Sequence, residues 1–170
     1  GKDYPIIKDS YQTVFSPQTA YQMTSILEGV VKRGTAKKIK DLKLNIAGKT
    51  GTTNKNTDTW FIGFTSNLLI GVYVGSDNPV SLGKYETGSK TALPIFKEFI
   101  KKVVKKSEAR PFKAAKGTVM MVVDPITGQK AKFTSKNTII EVYKKENVIN
   151  GEVLYSNNDR LDVNNILKFY

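Results

Sequence analysis

The 170-residue sequence predicts a mixed α/β fold: an antiparallel sheet covered by helices, followed by a small β-rich tail. Three observations carry this. Two stretches, 17–33 and 91–105, repeat apolar residues at three- and four-residue steps, as amphipathic helices do. Between them lie two apolar runs, 59–65 and 68–75, separated only by Ser66-Asn67, which is the spacing of a hairpin. Beyond residue 117, short apolar runs are punctuated by turn residues such as Asp124-Pro125 and Thr127-Gly128.

Each element has a local reason. Ser16 can cap the first helix and Pro17 suits its first position. Ala20, Met23, Leu27, Val30 and Val31 make its apolar face, Lys32 and Arg33 suit its negative end, and Gly34 is expected to stop it in a left-handed turn. A short strand is expected over 43–49, with Leu44 and Ile46 on one side. The strands at 59–65 and 68–75 are apolar on both faces, so each side of their sheet should be covered. Glycines break 77–88. The second helix follows, with Pro94 in its first turn, a buried stripe of Ala92, Ile95, Phe96, Phe99, Ile100 and Val103, and a basic tail. Residues 107–117 read as a linker, 119–123 and 139–143 as strands, and 130–133 as a segment that can pair back. The chain therefore divides at residue 106, with 107–170 as a linker and a small β-rich or irregular appendage.

Composition narrows the chemistry. The net charge is 27 − 15 = +12, which favours anionic partners. Only Arg33, Arg110 and Arg160 are arginines, and base edges are usually read by arginine forks, so the charge predicts diffuse attraction and no specific nucleic-acid partner. With no histidine and no cysteine, Ser-His-Asp and thiol catalysis, disulfides and zinc thiolates are excluded; no cofactor and no metal are expected. No run reaches the roughly 18 apolar residues of a membrane span. Gly1-Lys2-Asp3-Tyr4-Pro5 opens no signal peptide, and the start reads as the cut edge of something longer.

The stretch from Ile46 to Thr65 crowds lysine and threonine around Gly48 and Gly51. Gly48-Lys49-Thr50 invites a nucleotide-binding reading, but that motif needs a glycine where Lys43 stands and a helix where a strand follows. Asn54-Lys55-Asn56-Thr57 lacks the acidic fourth residue of a guanine-recognition motif. A strand-borne reading fits better. A lysine at a strand end supplies charge and three donors, a threonine hydroxyl beside it can bind a carboxylate, and glycine lets a substrate backbone approach. Such an edge can receive an extended peptide as an added strand.

In its ordered motifs the chain resembles the penicillin-binding proteins, specifically the transpeptidase domain of the bifunctional class that both polymerises and crosslinks peptidoglycan. The series runs Val31-Lys32-Arg33-Gly34-Thr35-Ala36, Ala47-Gly48-Lys49-Thr50-Gly51-Thr52-Thr53-Asn54, Asp58-Thr59-Trp60-Phe61-Ile62-Gly63-Phe64-Thr65, Gly71-Val72-Tyr73-Val74-Gly75, Thr87-Gly88-Ser89 and Ala92-Leu93-Pro94-Ile95-Phe96. The resemblance covers about residues 14–106 and implies the penicillin-binding/serine β-lactamase-like fold. It implies that a serine attacks a D-alanyl-D-alanine carbonyl, D-alanine leaves, and an amine from a neighbouring strand resolves the acyl-enzyme. Lys49 would then hold the field of the site and assist proton movement. Thr50 and Thr52 would bind the carboxylate of substrate or antibiotic, Gly51 would leave room, and the Thr52 amide would be half of an oxyanion hole. Thr53 continues the pattern and supports the strand.

The family's other two motifs are not in place. A serine three residues before a lysine occurs once, Ser81-Leu82-Gly83-Lys84, but after Lys-Thr-Gly and in a glycine-broken loop. Ser76-Asp77-Asn78, Ser135-Lys136-Asn137 and Ser156-Asn157-Asn158 match Ser-x-Asn in letters but also follow Lys-Thr-Gly, and the first reads as a turn. The chain is thus expected to be the rear part of a transpeptidase domain, inactive alone. Its parent would bind peptidoglycan stem peptides and β-lactams. It would sit on the outer side of a bacterial cell membrane, in the periplasm or its equivalent, through an anchor upstream. The exposed surface left by a missing half would favour a dimer or swapped assembly. The alternative is a non-catalytic module on the same scaffold that binds cell-wall or membrane anions.

Overall fold

The computed structural model describes residues 12–78, 80–105, 110–132, 134–149 and 152–153. Helix α1 (Pro17–Lys32) begins as its sequence dictates: Ser16 Oγ accepts from the Thr19 amide at 3.2 Å, and Pro17 takes the first turn. A 3-10 turn (Lys37–Leu42) leads into strands β1 (Ala47–Thr52), β2 (Thr59–Phe64) and β3 (Leu69–Val74). They form one antiparallel sheet in the order β1-β2-β3, with Lys49 opposite Ile62 and Thr52 opposite Thr59. Helix α2 (Ala92–Val103) packs on this sheet. Strands β4 (Thr118–Val123) and β5 (Ile139–Lys144) make a second antiparallel pair, and β6 (Val148–Ile149) with β7 (Glu152–Val153) a third. Lys130 does pair back, through a single bridge to Val123.

The core lies between α2, the covered face of the sheet, the end of α1 and the 3-10 turn. Phe61 and Phe96 are fully buried and meet edge-to-face at 4.7 Å. Gly63 is what permits this, since a Cβ there would fall 2.8 Å from the Phe96 ring. Lys97 ties α2 to the 3-10 turn through Asp41 at 2.7 Å and the Lys38 carbonyl at 2.9 Å. The β4–β5 pair packs on α1, where Gln22 donates to the Val142 carbonyl and Arg33 pairs with Glu141.

Four local expectations are corrected. Gly34 is not left-handed; it is needed because a Cβ would fall 2.9 Å from the Val30 Cα as the chain folds back over the helix end. The strand expected at 43–49 lies at 47–52: it starts later because Lys43 adopts a left-handed conformation (φ 54°) that closes the 3-10 turn, and it runs on to Thr52, so that Lys49 stands inside it and not at its end. The buried stripe of α2 is Ala92, Leu93, Phe96 and Ile100, whereas Ile95, Phe99 and Val103 are exposed. Ile95, Phe99 and Val103 form an i, i+4 row beside the Leu93, Phe96 and Ile100 row that is buried, and that neighbouring row is left outside the contact. The sheet's other face is largely open among the described residues: Trp60, Ile62, Leu69 and Tyr73 lie exposed there, while Phe64 at its end meets the Phe112 ring.

Candidate active site

Strand β1 carries the Lys-Thr-Gly run along an edge that is free among the described residues, where β2 pairs with it on one side only. Cross-strand partners share a face and successive residues alternate. Lys49 and Gly51, opposite Ile62 and Trp60, therefore belong to the open face, and Thr50 and Thr52, opposite Phe61 and Thr59, to the face covered by α2. The backbone direction follows from the turn. The Thr53 amide donates to the Asp58 carbonyl at 3.0 Å, toward β2. Strand amides alternate, so the Thr52 amide points away from β2, off the free edge.

The side chains are held individually. Lys49 is exposed, and its ammonium donates to the Thr50 carbonyl at 2.9 Å. The Thr50 hydroxyl lies 2.9 Å from that of Thr35, in the turn after α1. The Thr52 hydroxyl accepts from the Gly88 amide at 3.1 Å. Gly88 is buried against the motif: a Cβ would meet the Trp60 carbonyl oxygen, the Gly51 carbonyl oxygen at 2.8 Å and the Thr50 Cβ at 3.2 Å. Gly51 keeps the open face low, with a Cβ there 3.3 Å from that of Trp60.

Thr53 is not brought to the edge with the others. Its hydroxyl accepts from the Asp58 amide at 2.9 Å and lies 2.8 Å from the Thr57 hydroxyl, closing the β1–β2 turn. Asp58 is the hub of that turn. The Tyr73 hydroxyl donates to it at 2.7 Å and the Thr57 hydroxyl at 2.8 Å. These bonds, from Tyr73 first and then Thr57 and Thr53, hold the Asp58 carboxyl below its ordinary range; Asp58 in turn raises the Tyr73 phenol. Asn56, left-handed at φ 54°, donates to the Gly83 and Lys84 carbonyls at 2.9 Å each, latching the following loop to the turn.

Ser81 and Lys84 do not form a nucleophile pair. Ser81 accepts from the Gly83 amide, Lys84 lies over the Tyr85 ring, and no helix carries them. Ser76-Asp77-Asn78 forms an exposed bend after β3; Ser156-Asn157-Asn158 lies outside the described residues. No cluster of His, Cys, Asp and Glu able to hold a metal occurs among the described residues. A cavity of about 600 Å³ lined by Ser16, Gln18, Gly117, Lys144, Lys145 and Glu146 sits at the opposite end of α1 from Thr35 and takes no part in this edge. Thr35, Gly88 and Asp58 were visible only as letters in the motif series; nothing in their spacing announces that they contact β1 or its turn.

Residues 7–101 match the family model of the penicillin binding protein transpeptidase domain, and the chain belongs to that family. Among curated relatives, it is 41% identical over 160 residues to penicillin-binding protein 1A of Rickettsia conorii, covering 93% of this chain and 20% of that one. It is 38% identical over 145 residues to penicillin-binding protein 1A of Pseudomonas aeruginosa, covering 79% and 18%. The crystal structure of penicillin-binding protein 1A from Haemophilus influenzae superposes with a TM-score of 0.67 at 30% identity, over 77% of this chain and 21% of that one. The mixed helix and antiparallel-sheet fold is thus that of the transpeptidase domain. The chain spans about a fifth of the length of these relatives.

Proposed function

We propose that this chain supplies the substrate-binding strand of a peptidoglycan D,D-transpeptidase, and that the attacking serine belongs to a longer protein of which residues 1–106 form the rear of the catalytic domain. In that protein the serine oxygen bonds to the penultimate D-alanine carbonyl carbon. The C–N bond breaks, and D-alanine leaves with a proton. An acceptor amine then attacks the ester, forming the crosslink and returning the proton to serine. β1 contributes to each step. Thr50 and Thr52 bind the terminal carboxylate, Lys49 sets the positive field and helps move the proton, and the Thr52 amide stabilises the tetrahedral oxyanion. The observation that supports this is the edge of β1 left free among the described residues, off which the Thr52 amide points, with Lys49 on one face of the strand and the Thr50 and Thr52 hydroxyls on the other.

The same reading places the parent on the outer face of a bacterial cell membrane, anchored outside this chain and joined to a glycosyltransferase. Among the described residues no helix is long and apolar enough to cross a membrane. Residues 107–170 are read as an appendage to the catalytic part. The exposed Trp60, Ile62, Leu69 and Tyr73 favour pairing of isolated chains, which light scattering at rising concentration would detect; a strict monomer ends that expectation.

The test is covalent labelling. A fluorescent penicillin should label the longer protein and leave this chain unlabelled by mass spectrometry. Lys49→Ala should slow labelling of the longer protein by about 100-fold, the scale of losing one positioned charge at an acyl-transfer site. A stoichiometric adduct on Ser81, or unchanged labelling of a folded Lys49→Ala variant, overturns the proposal.

A further inference from the structure

We propose that Thr35 is a positioning residue for carboxylate recognition on β1: its hydroxyl donates to Thr50 and so turns the Thr50 proton toward an incoming acid. The inference rests on the reading of β1 just given. Its starting point is that the two hydroxyls of the strand are backed differently. Thr52 Oγ1 faces the Gly88 amide, which can only donate, so the oxygen must accept and its own proton is left for another partner. Thr50 Oγ1 faces the Thr35 hydroxyl at 2.9 Å, where either oxygen can be the donor. A carboxylate accepts and never donates when ionised. Once it reaches the edge, the Thr50 proton goes to the carboxylate and the Thr35 proton goes to Thr50. Both strand hydroxyls then work alike, each taking a hydrogen bond from behind and giving one to the ligand, and the two bonds in series polarise each other.

Thr35 is built to hold that place. It stands between Gly34 and Ala36, both pinned to the last turn of α1. The Gly34 amide donates to the Gly29 carbonyl at 3.2 Å and to the Val30 carbonyl at 3.1 Å, and the Ala36 amide reaches the Val30 carbonyl at 3.1 Å. Ala36 is fully buried, so the turn cannot slide without opening the core. Thr35 itself is exposed beside the free edge, and its hydroxyl makes no other hydrogen bond among the described residues. Its proton is therefore not committed to the scaffold.

The experiment titrates this chain with acetyl-D-alanyl-D-alanine and with the same dipeptide as its C-terminal amide, reading the β1 amide resonances. The wild-type chain should prefer the acid. Thr35→Val, which keeps the shape and removes the hydroxyl, should weaken acid binding roughly fivefold, the loss expected for one hydrogen bond, and leave amide binding unchanged. Thr35→Ser should restore the preference to within about twofold, since only the hydroxyl matters in this account. The Thr52 and Gly88 amide shifts report whether the strand is intact in each variant; if Thr35→Val disturbs them, Thr35→Ala against Thr35→Ser makes the same comparison. Full acid preference in an intact Thr35→Val or Thr35→Ala chain overturns the role of Thr35 alone. A wild-type chain with no acid preference overturns the reading of β1, and this inference with it.

Discussion

At the scale of single residues, the candidate site depends on absent atoms as much as on present ones. Gly88 lies so close to β1 that a methyl group would press on the Trp60 and Gly51 carbonyl oxygens. Those are backbone atoms of paired strands and cannot swing aside, unlike the tip of a flexible side chain. Gly88→Ala should therefore push the motif strand outward and lengthen the Gly88–Thr52 hydrogen bond. The expected loss is about 1–3 kcal/mol of stability by chemical denaturation, the usual cost of overpacking. A variant as stable as the parent, with an unshifted Thr52 amide resonance, would contradict this account. Gly34 makes the same kind of point at the end of α1, where the space beside Val30 matters and handedness does not.

At the scale of elements, the β1–β2 turn is held by charge-assisted hydrogen bonds around Asp58. The carboxyl titrates below its ordinary value of 3.8 because Tyr73, Thr57 and Thr53 donate to its charged form. The unfolded chain binds the proton more readily, so this contribution is complete above about pH 3.8 and disappears as the pH falls through the lower folded value. Amide exchange at Thr53, taken relative to its intrinsic rate at each pH, should accelerate across that acid window in the wild-type chain. In Asp58→Asn it should be faster at neutral pH and lose the acid step. Identical exchange profiles in the two proteins would remove Asp58 from its position as hub. The turn also bears on the proposed role of the Thr52 amide, because Thr53 follows immediately on Thr52 and shares its backbone.

At the scale of the whole molecule, α1 joins the sheet that carries the motif to the β4–β5 pair. The Arg33–Glu141 pair lies at this junction, next to the turn that holds Thr35. Burial raises the Glu141 carboxyl above its ordinary 4.5, and this outweighs the opposing pull of Arg33 and Lys32. The folded chain therefore holds that proton more tightly than the unfolded one. Its contribution to stability is complete below about pH 4.5 and is lost as the pH rises through the folded value. Denaturation midpoints measured across that window should show this fall in the wild-type chain. Glu141→Gln, which cannot titrate, should lack it. An unchanged slope in the variant would assign the pH dependence elsewhere.

Much of this molecule is local in origin. Ser16 and Pro17 start α1 for reasons of capping and dihedral angle, the two apolar runs around Ser66-Asn67 make β2 and β3, and Lys49 lies on a strand, though inside it and not at its end. These features follow from neighbour sterics and from the periods of burial, which a sequence records directly. The contacts that organise the edge do not. Thr35 reaches Thr50 across 15 positions and Gly88 reaches Thr52 across 36, and no periodicity links residues so far apart. The outward face of α2 is decided the same way: Phe99 and Phe96 are alike in composition, but only Phe96 finds the ring of Phe61 beneath it. Which apolar residues are covered, and which hydroxyls face which donors, depends on surfaces brought together by packing, and so belongs to the tertiary structure alone.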